Sequence, residues 1–297
     1  MNIQWFPGHM AKTRRILTDN LKMVDVVVEL LDARIPLSSK NPDIDTILRE
    51  KPKLIALNKS DLADEKVSRE WMNWYNLRGY ANVFIDSIKG RGINELKRKI
   101  HAIMEERIKR DKERGRIFRP IKAMVVGVPN VGKSSLINKL AGRNVAIAED
   151  RPGVTRGKQW INANSKIHLL DTPGVLWPKF EDKEVGLNLA FTGAIKDNVL
   201  DIVELAAAFL ERLVYNYPQS IGKRYKLSAL EGSKGYELLL QAGKNRGCLI
   251  AGGEVDLARI AAAVLDEFRG GKLGKITLER PEGKTKTDEK ENDNKTD

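Results

Sequence analysis

The stretch that most constrains this chain is Gly127-Val128-Pro129-Asn130-Val131-Gly132-Lys133-Ser134, which follows the pattern G-x-x-x-x-G-K-S. An apolar run, Ala123-Met124-Val125-Val126, precedes it and reads as a buried strand. Ser135-Leu136-Ile137-Asn138-Lys139-Leu140 follows and reads as a helix. Strand, glycine-bearing loop and helix together make a cradle for anions. The glycines let the backbone wrap close to oxygen atoms, and a helix N-terminus aims free N–H groups at negative charge. In this pattern Lys133 reaches the β- and γ-phosphates of a nucleotide and the Ser134 hydroxyl meets Mg²⁺. Asn130, Val131, Gly132 and Ser135 complete the candidate phosphate contacts.

Asn58-Lys59-Ser60-Asp61 is a second anchor. It leaves the apolar run Leu54-Ile55-Ala56-Leu57, which puts it at the C-terminal end of a strand, where ligands bind in open α/β sheets. The Asp61 carboxylate can accept from both N1–H and the exocyclic amine of guanine, a donor pair that adenine lacks. Asn58 can donate to guanine N7, and the Lys59 stem can cover the base. Taken alone this four-residue pattern reads equally as a surface turn. Beside the phosphate loop it indicates GTP, and Asp61 disfavours ATP.

The motifs run in an unusual order: Asn58-Lys59-Ser60-Asp61, Asp86-Ser87-Ile88, the phosphate loop, Thr155, then Asp171-Thr172-Pro173-Gly174. In this the chain resembles the circularly permuted group of the translation-factor-like GTPases. Trp5-Phe6-Pro7-Gly8-His9-Met10, Asp32-Ala33-Arg34-Ile35-Pro36, Leu176-Trp177-Pro178-Lys179-Phe180 and Gly193-Ala194-Ile195-Lys196-Asp197 carry the same resemblance. It implies an α/β fold: a P-loop GTPase domain with permuted motif order and a mainly parallel sheet, followed by a small helical domain. The expected division is 1–180 for the GTPase domain, 181–281 for a helical RNA- or ribosome-binding domain, and 282–297 for a disordered charged tail. The resemblance further implies a cytoplasmic, monomeric assembly factor that binds the large ribosomal subunit precursor and its rRNA and acts late in maturation. The alternative is a nucleotide-gated RNA-binding module whose hydrolysis is incidental.

Charge agrees with an anionic partner. The 297 residues carry a formal net charge of +12, though a merely soluble basic surface would look the same. Lys223, Arg224, Lys226, Lys244, Arg246 and Arg269 are candidate RNA phosphate contacts or, residue by residue, members of a solvated basic face. Cys248 is the sole cysteine, so no intrachain disulfide forms. No run is long enough to span a membrane, and no apolar stretch follows the basic N-terminus, so a signal peptide is not expected.

Apolar patterning predicts strands at Val24–Leu31, before Asn58 and at Val83–Ile85, and a hairpin over Gln159–Ala163 and Lys166–Leu170. It predicts helices around Ile44–Arg49, over Glu65–Leu77, and as one long basic helix over Gly92–Arg114. Beyond Glu184 the pattern is helical, over Glu184–Ala194, Val199–Tyr217, Tyr236–Gly243 and Val255–Phe268, with one further strand at Ile276–Glu279. Trp71 and Trp74, at i and i+3, read as core.

The resemblance assigns roles to the remaining motif residues. Asp86 and Ser87 approach the guanine, with Asp-Ser standing where many relatives have Ser-Ala. Thr155 contacts Mg²⁺ and the γ-phosphate from a first switch, Asp171 touches Mg²⁺ through water, and the Gly174 N–H meets the γ-phosphate. Many GTPases carry a water-orienting Gln after Gly174; here Val175 stands there, and valine cannot polarise water. His9 is the candidate replacement, the other reading being that it only fastens the N-terminal segment. Asn130 resembles the Asn of potassium-activated GTPases, which implies K⁺ as a second cofactor; it reads equally as an ordinary loop residue.

Overall fold

The computed structural model describes residues 15, 17–48, 51–116, 119–142, 159–164, 166–172, 174, 182–227 and 232–281. Among the described residues six strands form one sheet: β1 (Val26–Asp32), β2 (Lys53–Asn58), β3 (Asn82–Phe84), β4 (Ile121–Val126), β5 (Gln159–Asn164) and β6 (Ile167–Asp171). Their spatial order is β3-β2-β1-β4-β6-β5. All neighbours are parallel except the β5–β6 hairpin. β1 and β4 lie at the centre and are buried on both faces, which explains their nearly unbroken apolar sequence.

Side chains alternate across the sheet with period two. Val26, Val28 and Leu30 share one face with Leu54, Ala56, Ala123, Val125, Ile167 and Leu169. Two helices cover that face: α3 (Ile93–Ile103) through Ile93, Leu96 and Ile100, and α5 (Lys133–Ala141) through Leu136, Ile137 and Leu140. On the other face, Val27, Met124, Val126 and Leu170 pack on Leu17, Leu21 and helix α1 (Pro42–Leu48). Leu31, Ile55 and Leu57 pack there on helix α2 (Glu65–Leu77), where Trp71 and Tyr75 are fully buried and Trp74 stands edge-on to Trp71 at 5.3 Å. Trp71 is therefore core, as its spacing predicts, and Trp74 is half-buried against it.

The first three strands step outward from the centre to one edge. The chain must then return to the centre for β4. It does so by way of α3 and α4 (Glu105–Glu113). This return is the permutation joint. The sequence predicts one helix over Gly92–Arg114, but the ladder changes at Met104. The Met104 N–H is shared between the carbonyls of Ile100 and His101, its side chain is buried, and beyond it α4 has no fully buried residue, Ile108 being half-buried against the core.

The helical half comprises α6 (Lys183–Phe191), a 3-10 turn (Asp197–Val199), α7 (Ile202–Asn216), α8 (Pro218–Tyr225), α9 (Gly235–Asn245) and α10 (Leu257–Arg269). Asp201 accepts from the Val203 and Glu204 N–H groups and so starts α7 later than the predicted Val199. Pro218 opens α8 as a separate helix that hydrophobic periodicity alone does not show. Phe191, Phe209 and Phe268 pack as tilted rings with centroids 5.1 and 4.7 Å apart in the middle of this half. The expected strand at Ile276–Glu279 is extended chain with no ladder. Two of its N–H groups bond back to the sheet half, Ile276 to the Leu62 carbonyl (2.9 Å) and Leu278 to that of Arg34 (2.8 Å), while the Thr277 N–H between them meets the Tyr217 hydroxyl at 3.1 Å. Among the described residues no helix is long and apolar enough to cross a membrane.

Candidate nucleotide site

The loop after β4 lies at the point where the strand succession reverses, between β1 and β4. Gly132 has φ +99°, and a Cβ there would run into the Asn58 amide nitrogen, so only glycine fits. Gly132 also precedes α5 without any side-chain cap, which leaves the first helical N–H groups for a ligand. Lys133 curls back onto its own loop, donating to the carbonyls of Gly127 (3.2 Å) and Val128 (2.8 Å). Burial pulls its ammonium down to about 8, against the opposing pull of Asp171 and with a smaller push from Lys59. An anion arriving at the loop would reverse that shift.

Asp171 ends β6 and is buried. The next residue, Thr172, donates its hydroxyl to the Val125 carbonyl at 2.6 Å, tying this segment to the loop strand. Gly174 then lies against the loop. A side chain there would stand 2.9 Å from Pro129 Cα and 3.0 Å from Lys133 Nζ.

On the opposite flank, Asn58 donates Nδ2–H to the Val131 carbonyl (2.7 Å) and accepts the Ser87 N–H at Oδ1 (3.0 Å). One side chain thus joins the β2, β3 and β4 loops. Lys59, at φ +59°, donates to the Asn130 carbonyl at 2.7 Å and lies 3.2 Å from the Asp32 carboxylate. Asp32 in turn accepts Arg34 Nε (2.9 Å) and Nη2 (2.7 Å) side by side. Burial alone would raise the Asp32 carboxyl, but the Arg34 and Lys59 cations hold it well below the usual carboxylate range. Asp61 sits at the rim, 3.4 Å from Lys89 Nζ. Asp86 turns its carboxylate onto its own loop, accepting the N–H groups of Ile88 (3.0 Å) and Lys89 (2.8 Å). Ser87 is the member of that pair whose hydroxyl comes close to Gly132.

Asn58, Lys59, Asp61, Asp86, Ser87, the loop from Asn130 to Ser135, Asp171 and Gly174 are therefore brought into one region at the C-terminal edge of the sheet. His9, Thr155 and Val175 lie outside the described residues. Three of the candidate RNA contacts also make ion pairs within the chain. Arg224 and Arg246 pair with Glu267. Arg269 pairs with Asp197 at 2.7 Å and donates to main-chain carbonyls of α6. Lys223, Lys226 and Lys244 are exposed. Sequence reasoning attached no role to the Asp32–Arg34 fork. An Asp-x-Arg leaving a buried strand was the available signal.

Sheet order, switch point and loop chemistry define a P-loop GTPase with circularly permuted motif order. Residues 122–227 match the family model of the 50S ribosome-binding GTPase. Over 282 residues the chain is 48% identical to the ribosome biogenesis GTPase A of Bacillus cereus, covering 95% of each chain. The GDP-bound structure of TM YlqF superimposes with a TM-score of 0.67 at 28% identity, over 90% of this chain and all of that one. GNP-bound YlqF from T. maritima gives 0.65 at 26% identity, over 91% of this chain and 99% of that one. The chain belongs to the ribosome biogenesis GTPase A family and is a GTP-hydrolysing enzyme.

Proposed function

We propose that the protein binds the immature large ribosomal subunit in its GTP form, hydrolyses GTP there in a late step of maturation, and leaves as the GDP form. The observation that carries this is near full-length likeness to the ribosome biogenesis GTPase A of Bacillus cereus. The net charge of +12, with Lys223, Lys226 and Lys244 exposed on the helical half, supports rRNA as the surface met. On this reading residues 1–180 bind nucleotide, 181–281 meet RNA and 282–297 form a tail, in a cytoplasmic monomer.

The bonds already made support the following nucleotide contacts. An Asn amide has two N–H groups; Asn58 spends one on Val131, leaving the other for guanine N7. Asp61 takes the guanine N1–H and amine, and Ser87 approaches from the β3 loop, which Asp86 shapes. The N–H groups from Val131 to Ser135 and the Lys133 ammonium take the phosphates, and the Gly174 N–H takes the γ-phosphate. The Ser134 hydroxyl and buried Asp171 offer the hard oxygen donors that Mg²⁺ prefers, Asp171 through water, with Thr155 as a third. That ion would neutralise charge developing on the phosphates. Asn130 is the residue for a K⁺ ion.

With Val175 in place of a water-orienting side chain, His9 positions the water once the particle fixes the N-terminal segment. The test is GTP turnover with and without purified large-subunit precursor, for the unaltered chain and His9→Ala. Turnover should rise strongly with the particle, and His9→Ala should abolish that rise while leaving GTP affinity nearly unchanged. Tight GTP-dependent binding without any stimulation would instead indicate a nucleotide-gated RNA-binding module. Unchanged stimulated turnover in His9→Ala would remove His9 from the chemistry.

A further inference from the structure

The phosphate loop reaches the helical half through one of its own side chains. Asn130 donates Nδ2–H to the Gly193 carbonyl at 2.8 Å, while its main-chain carbonyl accepts Lys59 at 2.7 Å. Asn130 has φ +56°, in the left-handed region, which asparagine adopts more readily than most non-glycine residues. Its neighbours Val131 and Gly132 carry the loop N–H groups, so whatever holds Asn130 also aims those donors.

Gly193 is itself held. It follows α6 with φ +76° and donates to the Ala190 carbonyl (3.0 Å), and Ala194 donates to that of Leu189 (2.9 Å), a left-handed helix ending that swings the next carbonyls outward. Arg269, in the last turn of α10, clamps this turn from behind. Its Nε donates to the Phe191 carbonyl and Nη2 to that of Ala190, both at 3.0 Å. Its two Nη atoms also grip the Asp197 carboxylate at 2.7 and 2.8 Å. One planar fork therefore spans the loop from its start to its end, a geometry that a lysine ammonium cannot copy. A side chain added at Gly193 would stand 3.2 Å from Arg269 Nε, so the fit is close.

We propose that Arg269 is a positioning residue for GTP binding and hydrolysis, acting through the Gly193 carbonyl on Asn130 of the phosphate loop. Arg269 touches no nucleotide contact itself. Its effect passes through two hydrogen-bonded steps and does not depend on any ribosomal partner.

The experiment is equilibrium binding of a fluorescent GTP analogue to the full chain, for Arg269→Ala, Arg269→Lys, Asn130→Ala and the Arg269→Ala/Asn130→Ala pair. Arg224→Ala, which removes a comparable ion pair with Glu267 in the same half, is the control for general loosening. Arg269→Ala should weaken binding about three- to tenfold, Arg269→Lys should not restore it, and the double variant should bind like Asn130→Ala alone. Arg224→Ala should lower the melting temperature and leave affinity unchanged. Should Arg269→Ala not fold, Asp197→Asn removes the clamp's anionic anchor and should weaken binding in the same direction. Three results would each overturn the proposal: unchanged affinity in a folded clamp variant, additive losses in the double variant, or an equal loss in Arg224→Ala.

Discussion

The helical half is joined to the sheet half differently on the two flanks of the nucleotide site. On the base flank the joint is a set of main-chain and side-chain hydrogen bonds. Ile276 and Leu278 donate to the Leu62 and Arg34 carbonyls, the Asp64 N–H donates to the Thr277 hydroxyl at 3.0 Å, and Trp71 Nε1 donates to the Glu279 carbonyl at 3.1 Å. The Glu279 carboxylate then accepts the N–H groups of Leu37 (2.7 Å) and Ser38 (3.0 Å), the Ser38 hydroxyl, and the Asn188 amide at 2.9 Å. On the phosphate flank the joint is the Asn130 side chain on the Gly193 carbonyl. A hydrogen bond between neutral groups is worth about 0.5–1.5 kcal/mol net, within reach of what a nucleotide can shift, whereas breaking the base flank orphans several buried groups together. The base flank is therefore expected to be the fixed joint and the phosphate flank the one that responds to nucleotide.

The largest effect belongs to the base flank. Asp61→Asn removes the paired acceptor and should weaken GTP binding by roughly 100-fold or more while favouring xanthine nucleotide. Competition binding reads both, and equal ATP and GTP affinity in the unaltered protein would contradict the assignment. Next comes the joint itself. Glu279→Ala leaves four donor groups without their acceptor and should lower unfolding stability by about 3 kcal/mol. Denaturant unfolding measures this, and a change under about 0.5 kcal/mol would make the base joint no stronger than the phosphate one.

The phosphate flank gives a smaller effect, set by pH. The Lys133 ammonium is drawn down to about 8 from 10.5 in the folded chain. Phosphate favours the charged form, so above that pH binding must take up a proton. Nucleotide affinity should be flat in this residue below pH 8 and fall by up to about tenfold per pH unit above it. The stability of the nucleotide-free chain should move oppositely between those two values, rising with pH, because the unfolded state still holds a proton the folded state has shed. Isothermal titration across that range checks the first, and an affinity independent of pH would contradict it.

The two flanks were also unequally legible in the sequence. Asn58-Lys59-Ser60-Asp61 and the phosphate loop are contiguous patterns at strand ends, and their local chemistry is complete within a few residues. The central strands were visible because burial on both faces leaves an apolar run. Arg269 and Glu279 were not legible. Arg269 pairs with residues 72 to 79 positions away, and Glu279 with Ser38 across 241. Neither shows any local pattern, so Arg269 read as one more surface cation. The break at Met104 was hidden for a similar reason, since a bifurcated N–H changes the ladder without Gly or Pro to mark it.

Amide hydrogen exchange on the full chain tests the contrast directly, with GDP against a non-hydrolysable GTP analogue. On the proposed contacts the γ-phosphate of the analogue would hold Gly174 against the loop, while Asn130 bonds to Gly193. Exchange over residues 190–199 should therefore slow by about 5- to 150-fold relative to GDP, the span of an ordinary coupling energy. The amides of Ile276 and Leu278, on the base flank, should exchange at the same rate in both states. Equal exchange at 190–199 in the two states, or a change of similar size at Ile276 and Leu278, would contradict a fixed base joint and a responsive phosphate joint.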